Sequence, residues 1–323
     1  MAATTETVTS RAADRRTGIA LMLTSSAANQ TGAALGARAF DTIGPVGVVA
    51  VRQFITAAVL IPLVRPRFRL RADQWWPVLG LVVVFSVMNL SLYAAVELIG
   101  LGLAVTLEFL GPLTVAIAGS RRAVDACGAV IAGVGVLLLT RPGGSADLTG
   151  IAFGLLAAAA WGAYILLNRT CGQRLPGLQG TAVASTVTAV VWIPVAAVWF
   201  LTHPPTAVAL GLAAACGVLS SVVPYVADIS ALRRIPANVF GTFTSVNPVW
   251  AALAGWLFLS QTLDGTEWAG IALIAVSNVV ISVRWRPGGG KGARRTPSLA
   301  ACPPPRKSST STSPPPTIPT RGS

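Results

Sequence analysis

The sequence predicts an all-α membrane protein: ten transmembrane helices arranged as two inverted five-helix repeats. Three observations lead there. Of the 323 residues, 53% are hydrophobic and only 11% charged, with a mean hydropathy of +0.68. A soluble domain draws on about 25% charged residues, so this chain has too few to cover a water-facing surface. Apolar spans recur along its whole length, several reaching the ~20 residues that cross a hydrocarbon core. The chain also resembles itself when residues 95–119 are laid on residues 231–255.

In chain order, "MAATTETVTSRAADRR" (1–16) reads as a polar cytoplasmic leader with no evident signal-peptide cleavage site after it. Ten spans follow at roughly 17–39, 43–64, 74–95, 99–119, 124–140, 149–168, 179–201, 207–228, 238–259 and 267–285. The first repeat occupies 17–140 and the second 149–285. Tight links such as "ELIG" and "RRIPA" make neighbouring helices antiparallel. Residues 286–323 are dominated by Pro, Ser, Thr and Arg, have nothing to build a core from, and are expected to be a disordered cytoplasmic tail.

Charge sets the orientation. With the N-terminus inside, nearly every Lys and Arg falls on the cytoplasmic side: Arg65, Arg67, Arg69 and Arg71, Arg121 and Arg122, Arg169 and Arg174, Arg233 and Arg234, the leader and the tail. Outside segments hold only Arg38 and Arg141, and Arg52 lies within a span. This is a strong positive-inside bias, with both termini cytoplasmic. The net charge of +13 is therefore a topology signal spread over loops, and no nucleic-acid partner is expected.

The self-similarity carries the inversion. Laid on its mate, "AVELIGLGLAVTLEFLGPLTVAIAG" (95–119) places Pro112 on Pro248, Ile99 on Ile235 and Gly119 on Gly255. Five spans per half turn the second half over in the membrane, and the charges follow: Glu97 in an outside turn matches Arg233 and Arg234 in an inside one. Inverted repeats with interrupted helices at matching positions point to a secondary transporter whose site lies at the repeat interface.

Glu108 is the first candidate for that site. A charged side chain at mid-bilayer costs on the order of 2.5–3.5 kcal/mol on insertion scales, so Glu108 must face a cavity, pair with a cation or carry a proton. Two readings stay open: Glu108 lines the transport cavity, or it forms a fixed structural pair with Arg52. On an unbroken helix its face holds Ala104, Gly111 and Pro112, while Leu103, Leu110, Leu113 and Ile117 would face lipid. Pro112 has no N–H and frees a carbonyl one turn earlier, either as a ligand or as a tolerated kink.

Further candidates lie on other spans. Asp228 shares a face with Ser221, Pro224 and Tyr225, and either lines the cavity or pairs with Arg233 or Arg234. Asn29 runs beside Gly32 and Gly36, a GxxxG that reads first as a packing seam. Trp161, Tyr164 and Asn168 share one face of the sixth span, as ligand contacts or as packing. Thr244 and Asn247 precede Pro248 and mirror the Glu108 region; Asn89 stands one turn from Tyr93.

The cysteines (Cys127, Cys171, Cys216, Cys302) show no metal-type spacing, and His203 in "LTHPPT" has no metal partners in view. No cofactor is expected. Without a P-loop, HExxH or GxSxG motif, neither ATP-driven pumping nor hydrolysis by those routes is expected, and the chain does not read as an enzyme.

The fourth-span motif with Asp125 after it, "SSVVPYVADISALRRIPANVFGTFTSVNPVWAALAG" (220–255), "AAAAWGAYILLNR" (157–169) and Arg52 together resemble the RhtA-type amino-acid exporters, in the EamA branch of the drug/metabolite transporter superfamily. The resemblance covers about residues 17 to 285. It implies a bacterial inner-membrane exporter of threonine- or homoserine-like amino acids, proton-coupled, working by alternating access. Asp228 stands where that pattern has Glu, and "SVNP" replaces a more acidic version. The partners so implied are a small-molecule substrate and the lipid bilayer; a homodimer is compatible with them. Two other functions remain: a drug or metabolite exporter of the same fold, or a membrane-embedded partner protein using the basic tail.

Overall fold

The computed structural model describes residues 2–118, 123–139, 147–176, 178–232 and 246–284, and among these every regular element is a helix. In order they are α1 (Ala2–Ala37), α2 (Phe40–Val64), α3 (Ala72–Ile99), α4 (Leu101–Glu108), α5 (Leu110–Ala118), α6 (Ala123–Leu139), α7 (Leu148–Arg174), α8 (Gln179–Thr202), α9 (Ala207–Gly217), a π-helical turn (Val218–Val222), α10 (Val223–Leu232), α11 (Asn247–Leu259) and α12 (Gly265–Arg284). The all-α expectation holds. The tail expected to be disordered lies outside the described residues, and α1 continues back through the leader to Ala2.

Four helices, α2, α3, α7 and α8, are long and apolar enough to cross a membrane. Shorter apolar stretches cover 101–115, 207–222, 247–259 and 265–277. Their starts are marked by local chemistry. Asp147 accepts from the Thr149 amide (2.7 Å) ahead of α7, and Thr206 from the Ala209 amide (3.2 Å) ahead of α9. Asp264 accepts from the Glu267 amide while Glu267 accepts from the Asp264 amide, a reciprocal cap on α12. Gly100, at φ 80°, joins α3 to α4 in one residue, a conformation that L side chains rarely adopt.

The packing is crosswise. Helix α3 lies on α7, and α1 on α10 and the π turn. Helices α2 and α8, α4 and α11, and α6 and α12 pair directly; α4 and α5 lie against α7, and α1 against α11. Close approaches need small residues. A β-carbon on Gly32 would stand 2.5 Å from Ser220 Oγ, and one on Gly36 2.9 Å from Cys216 Sγ, so the GxxxG of α1 is the seam on which the α9 segment rests. One end of the bundle is tied by polar bonds. The Arg67 amide donates to Gln179 Oε1 (2.9 Å), and Gln74 Nε2 to the Arg174 carbonyl (3.0 Å). The segments expected to be cytoplasmic after α2 and after α7 therefore meet.

Two expectations for the fourth span are corrected. It is not one helix kinked at Pro112: α4 ends at Glu108 and α5 starts at Leu110. The carbonyl that Pro112 leaves without an intrahelical donor is that of Glu108, so the chain breaks there. The leucines do not face lipid either. Leu103 (4% exposed) packs with Ala252, Ile271 and Ile274, and Leu113 (4%) with Ala132, because α11, α12 and α6 cover that face.

Candidate functional site

A cavity of about 390 Å³ lies among α1, α2, α3, α4, α7, α8, the π turn and the start of α11. That volume suits a small ligand. Along α1 its lining runs from Met22 to Ala33, roughly 16 Å at 1.5 Å per residue. From α2 and α8 it draws the halves nearer the arginine-rich end: Arg52, Gln53, Thr56 and Leu60, with Thr181 and Ser185.

Arg52 is fixed by three acceptors. Its guanidinium donates to the Tyr93 hydroxyl (3.2 Å), the Ser220 carbonyl (3.2 Å) and Ser221 Oγ (3.4 Å). Two of those acceptors sit on the π turn, a helix irregularity often found at functional positions. Ser220 Oγ in turn donates to the Asn29 carbonyl (2.7 Å), and the Tyr93 hydroxyl lies 2.9 Å from Cys216 Sγ. The network thus ties α1, α2, α3 and the α9 segment around one cation.

Glu108 is the opposite case. It ends α4, is 8% exposed, lines the cavity, and has neither a hydrogen bond nor an ion pair among the described residues. The ion pair seen among those residues is Arg71–Asp73, at the surface. Glu108 and Arg52 therefore share the cavity without forming the fixed pair.

Other expected residues divide. Asn29, Asn89, Trp161, Tyr164 and Asn247 line the cavity. Trp161 meets Phe109 edge to face (4.7 Å between ring centres), and Tyr164 lies against Phe85 (5.7 Å). Asn168 stands behind Tyr164, donating to its hydroxyl (3.4 Å) while accepting from Thr181 Oγ1 (3.1 Å). Tyr93 is buried behind Arg52. Pro112 and Pro248 are outside the lining. Thr244 and the side chains of Tyr225 and Asp228 lie outside the described residues. The structure adds Gln30, Gln53 and Ser185, which sequence reasoning missed. Gln30 and Gln53 had a signal, each standing in an apolar span beside a residue already singled out.

A bundle of apolar helices around a cavity that holds one fixed guanidinium and one carboxylate is the architecture of a membrane protein with an internal site for a small polar solute. The chain belongs to the EamA-like transporter family, whose profile matches residues 148–283. It is 35% identical over 281 residues to the threonine/homoserine exporter RhtA of Salmonella typhimurium (strain LT2), covering 83% of this chain and 93% of that one. To the threonine/homoserine exporter RhtA of Escherichia coli (strain K12) it is 36% identical over 270 residues, 80% and 89% of the two chains. An uncharacterized transporter, YwfM, of Bacillus subtilis (strain 168) is 26% identical over 136 residues, 42% and 46% of the two. One crystal structure matches in fold with a TM-score of 0.54 at 20% identity, over 84% of this chain and 96% of that one.

Proposed function

We propose that this protein is an inner-membrane exporter of small amino acids of the threonine and homoserine kind, driven by proton exchange at Glu108. The observation that carries this reading is the unpaired Glu108 carboxylate in a cavity that also holds Arg52, so both signs of a zwitterion find a counterpart. The threonine/homoserine exporters to which the chain is similar over most of its length support the substrate class. Glu108 would hold either a proton or the substrate's ammonium group, so release of one admits the other.

Alternating access would use two inverted five-helix halves, acting as a monomer or a homodimer, with both termini cytoplasmic. The packing supports this: α3 on α7 repeats as α10 on α1, α4 on α7 as α11 on α1, and α3 on α8 as α9 on α2. Three further pairs, α2 with α8, α4 with α11 and α6 with α12, join counterparts across the same pseudo-twofold.

The test is efflux of labelled threonine and homoserine from cells with matched membrane levels of wild type and Glu108→Gln, at two external pH values. An inward proton drive predicts faster wild-type efflux at the lower external pH, and loss of both flux and pH response in the variant. Equal efflux from the two proteins would remove Glu108 from the coupling step. A second reading is favoured by the aromatic side of the cavity, where Phe85, Phe109, Trp161 and Tyr164 stand together. There the cargo would be a lipophilic cation, shown by resistance to such compounds without amino-acid efflux.

A further inference from the structure

Two cavity side chains from two helices have buried acceptor oxygens with nothing to accept from, and a carboxylate on a third helix lines the same cavity. Gln30 on α1 (3% exposed) and Asn247 on α11 (8%) are buried, and their Oε1 and Oδ1 atoms have no hydrogen-bond partner. Glu108 on α4 (8% exposed) adds a carboxylate that lines the cavity. These positions flank one packed cluster of the bundle. Ala33, Ala34, Ala104, Val105, Ala251 and Ala254 pack in a single apolar cluster. Gln30 and Asn247 stand about one turn from it along their own helices, Glu108 adjoins its member Phe109, and all three line the cavity. Arg52 is not of this group, being engaged by Tyr93, Ser220 and Ser221.

Leaving a buried acceptor unsatisfied is costly, and a ligand that donates to it removes the cost. Either end of a carboxamide can be turned to the cavity, because its terminal torsion is soft. A hydroxyl brings one donor and no charge. A primary ammonium brings three N–H donors and a positive charge, matching three oxygens of which one is a carboxylate. We propose that Gln30, Glu108 and Asn247 together bind a primary ammonium group and select it over N-methylated amines. The inference rests on the proposed function only for the identity of the cargo; the ammonium class follows from the three oxygens.

The probe is thermal stabilisation of the purified full-length protein by L-threonine, N-methyl-L-threonine, propylammonium and N,N-dimethylpropylammonium. In wild type the primary amine is expected to bind more tightly by about tenfold for each N–H lost, so about tenfold for the threonine pair and about a hundredfold for the propylammonium pair, each lost N–H leaving an acceptor unpaired. Gln30→Met and Asn247→Leu, close in shape but without the acceptor, should bring that ratio towards one. Gln30→Glu and Asn247→Asp keep the oxygen, should keep the preference, and serve if the apolar variants do not fold. Preference for propylammonium without any threonine binding would uphold the ammonium site and overturn the amino-acid reading. Threonine binding with an unchanged ratio in the apolar variants would overturn the site and leave that reading intact. No preference with either pair in wild type would also overturn the site.

Discussion

Arg52 and Glu108 were both legible as charges inside apolar spans, yet their surroundings differ. The guanidinium fork reaches acceptors on α3 and the π turn at once, which a lysine's compact ammonium does not span. Arg52→Lys should therefore lower transport about tenfold, by losing one charge-assisted hydrogen bond net, while Tyr93→Phe should cost less because two acceptors remain. Transport in proteoliposomes at equal protein loading checks both. Thr181 and Ser185 were not legible as site residues. Uncharged polar side chains in helices commonly bond their own backbone, as Thr106 Oγ1 does to the Gly102 carbonyl (2.6 Å) and Thr188 Oγ1 to that of Ala184 (2.8 Å). Nothing in sequence separates those that do from those left facing a cavity.

Single contacts decide how the helices seat on one another. A β-carbon on Gly111 would overlap the Ala158 carbonyl oxygen, a backbone atom that cannot turn away. Gly111→Ala should force α5 from α7 and lower stability by about 1–3 kcal/mol, the usual cost of overpacking. Gly211→Ala meets nothing within 4 Å and should be neutral or slightly stabilising through helix propensity. Thermal unfolding of the two variants in detergent compares them. At this scale the sequence marked Pro112 and the carbonyl it frees one turn earlier, and the structure turns that irregularity into a break between two helices. The backbone responds where the missing donor is felt, at Glu108, and not at the proline ring.

For the whole molecule, opposite exposure of loops is the measurable consequence of the proposed topology. In a cysteine-depleted background, Arg67→Cys between α2 and α3 should react with an impermeant thiol reagent only from the cytoplasmic side. Pro205→Cys between α8 and α9 should react only from outside. Labelling of both from one side would overturn the orientation. Truncation after Trp285 should leave flux unchanged, since every cavity residue lies before it; loss of function with normal membrane level would favour the tail-based partner.

Composition, the charge bias and the matched prolines determined by themselves that this is a helical membrane protein, and they singled out Glu108, Arg52 and Asn247. Those features are local or additive: a charge in an apolar span, or a cluster in a loop, keeps its meaning whatever the helices pack against. Which faces meet lipid, and which polar groups are left without partners, only the tertiary structure decided. Leu103 lies under α12 instead of in the bilayer, and Gln30 lies beside Asn247's helix with its oxygen unpaired. Both follow from how α1, α4, α11 and α12 are brought together, and burial depends on the neighbour as much as on the residue.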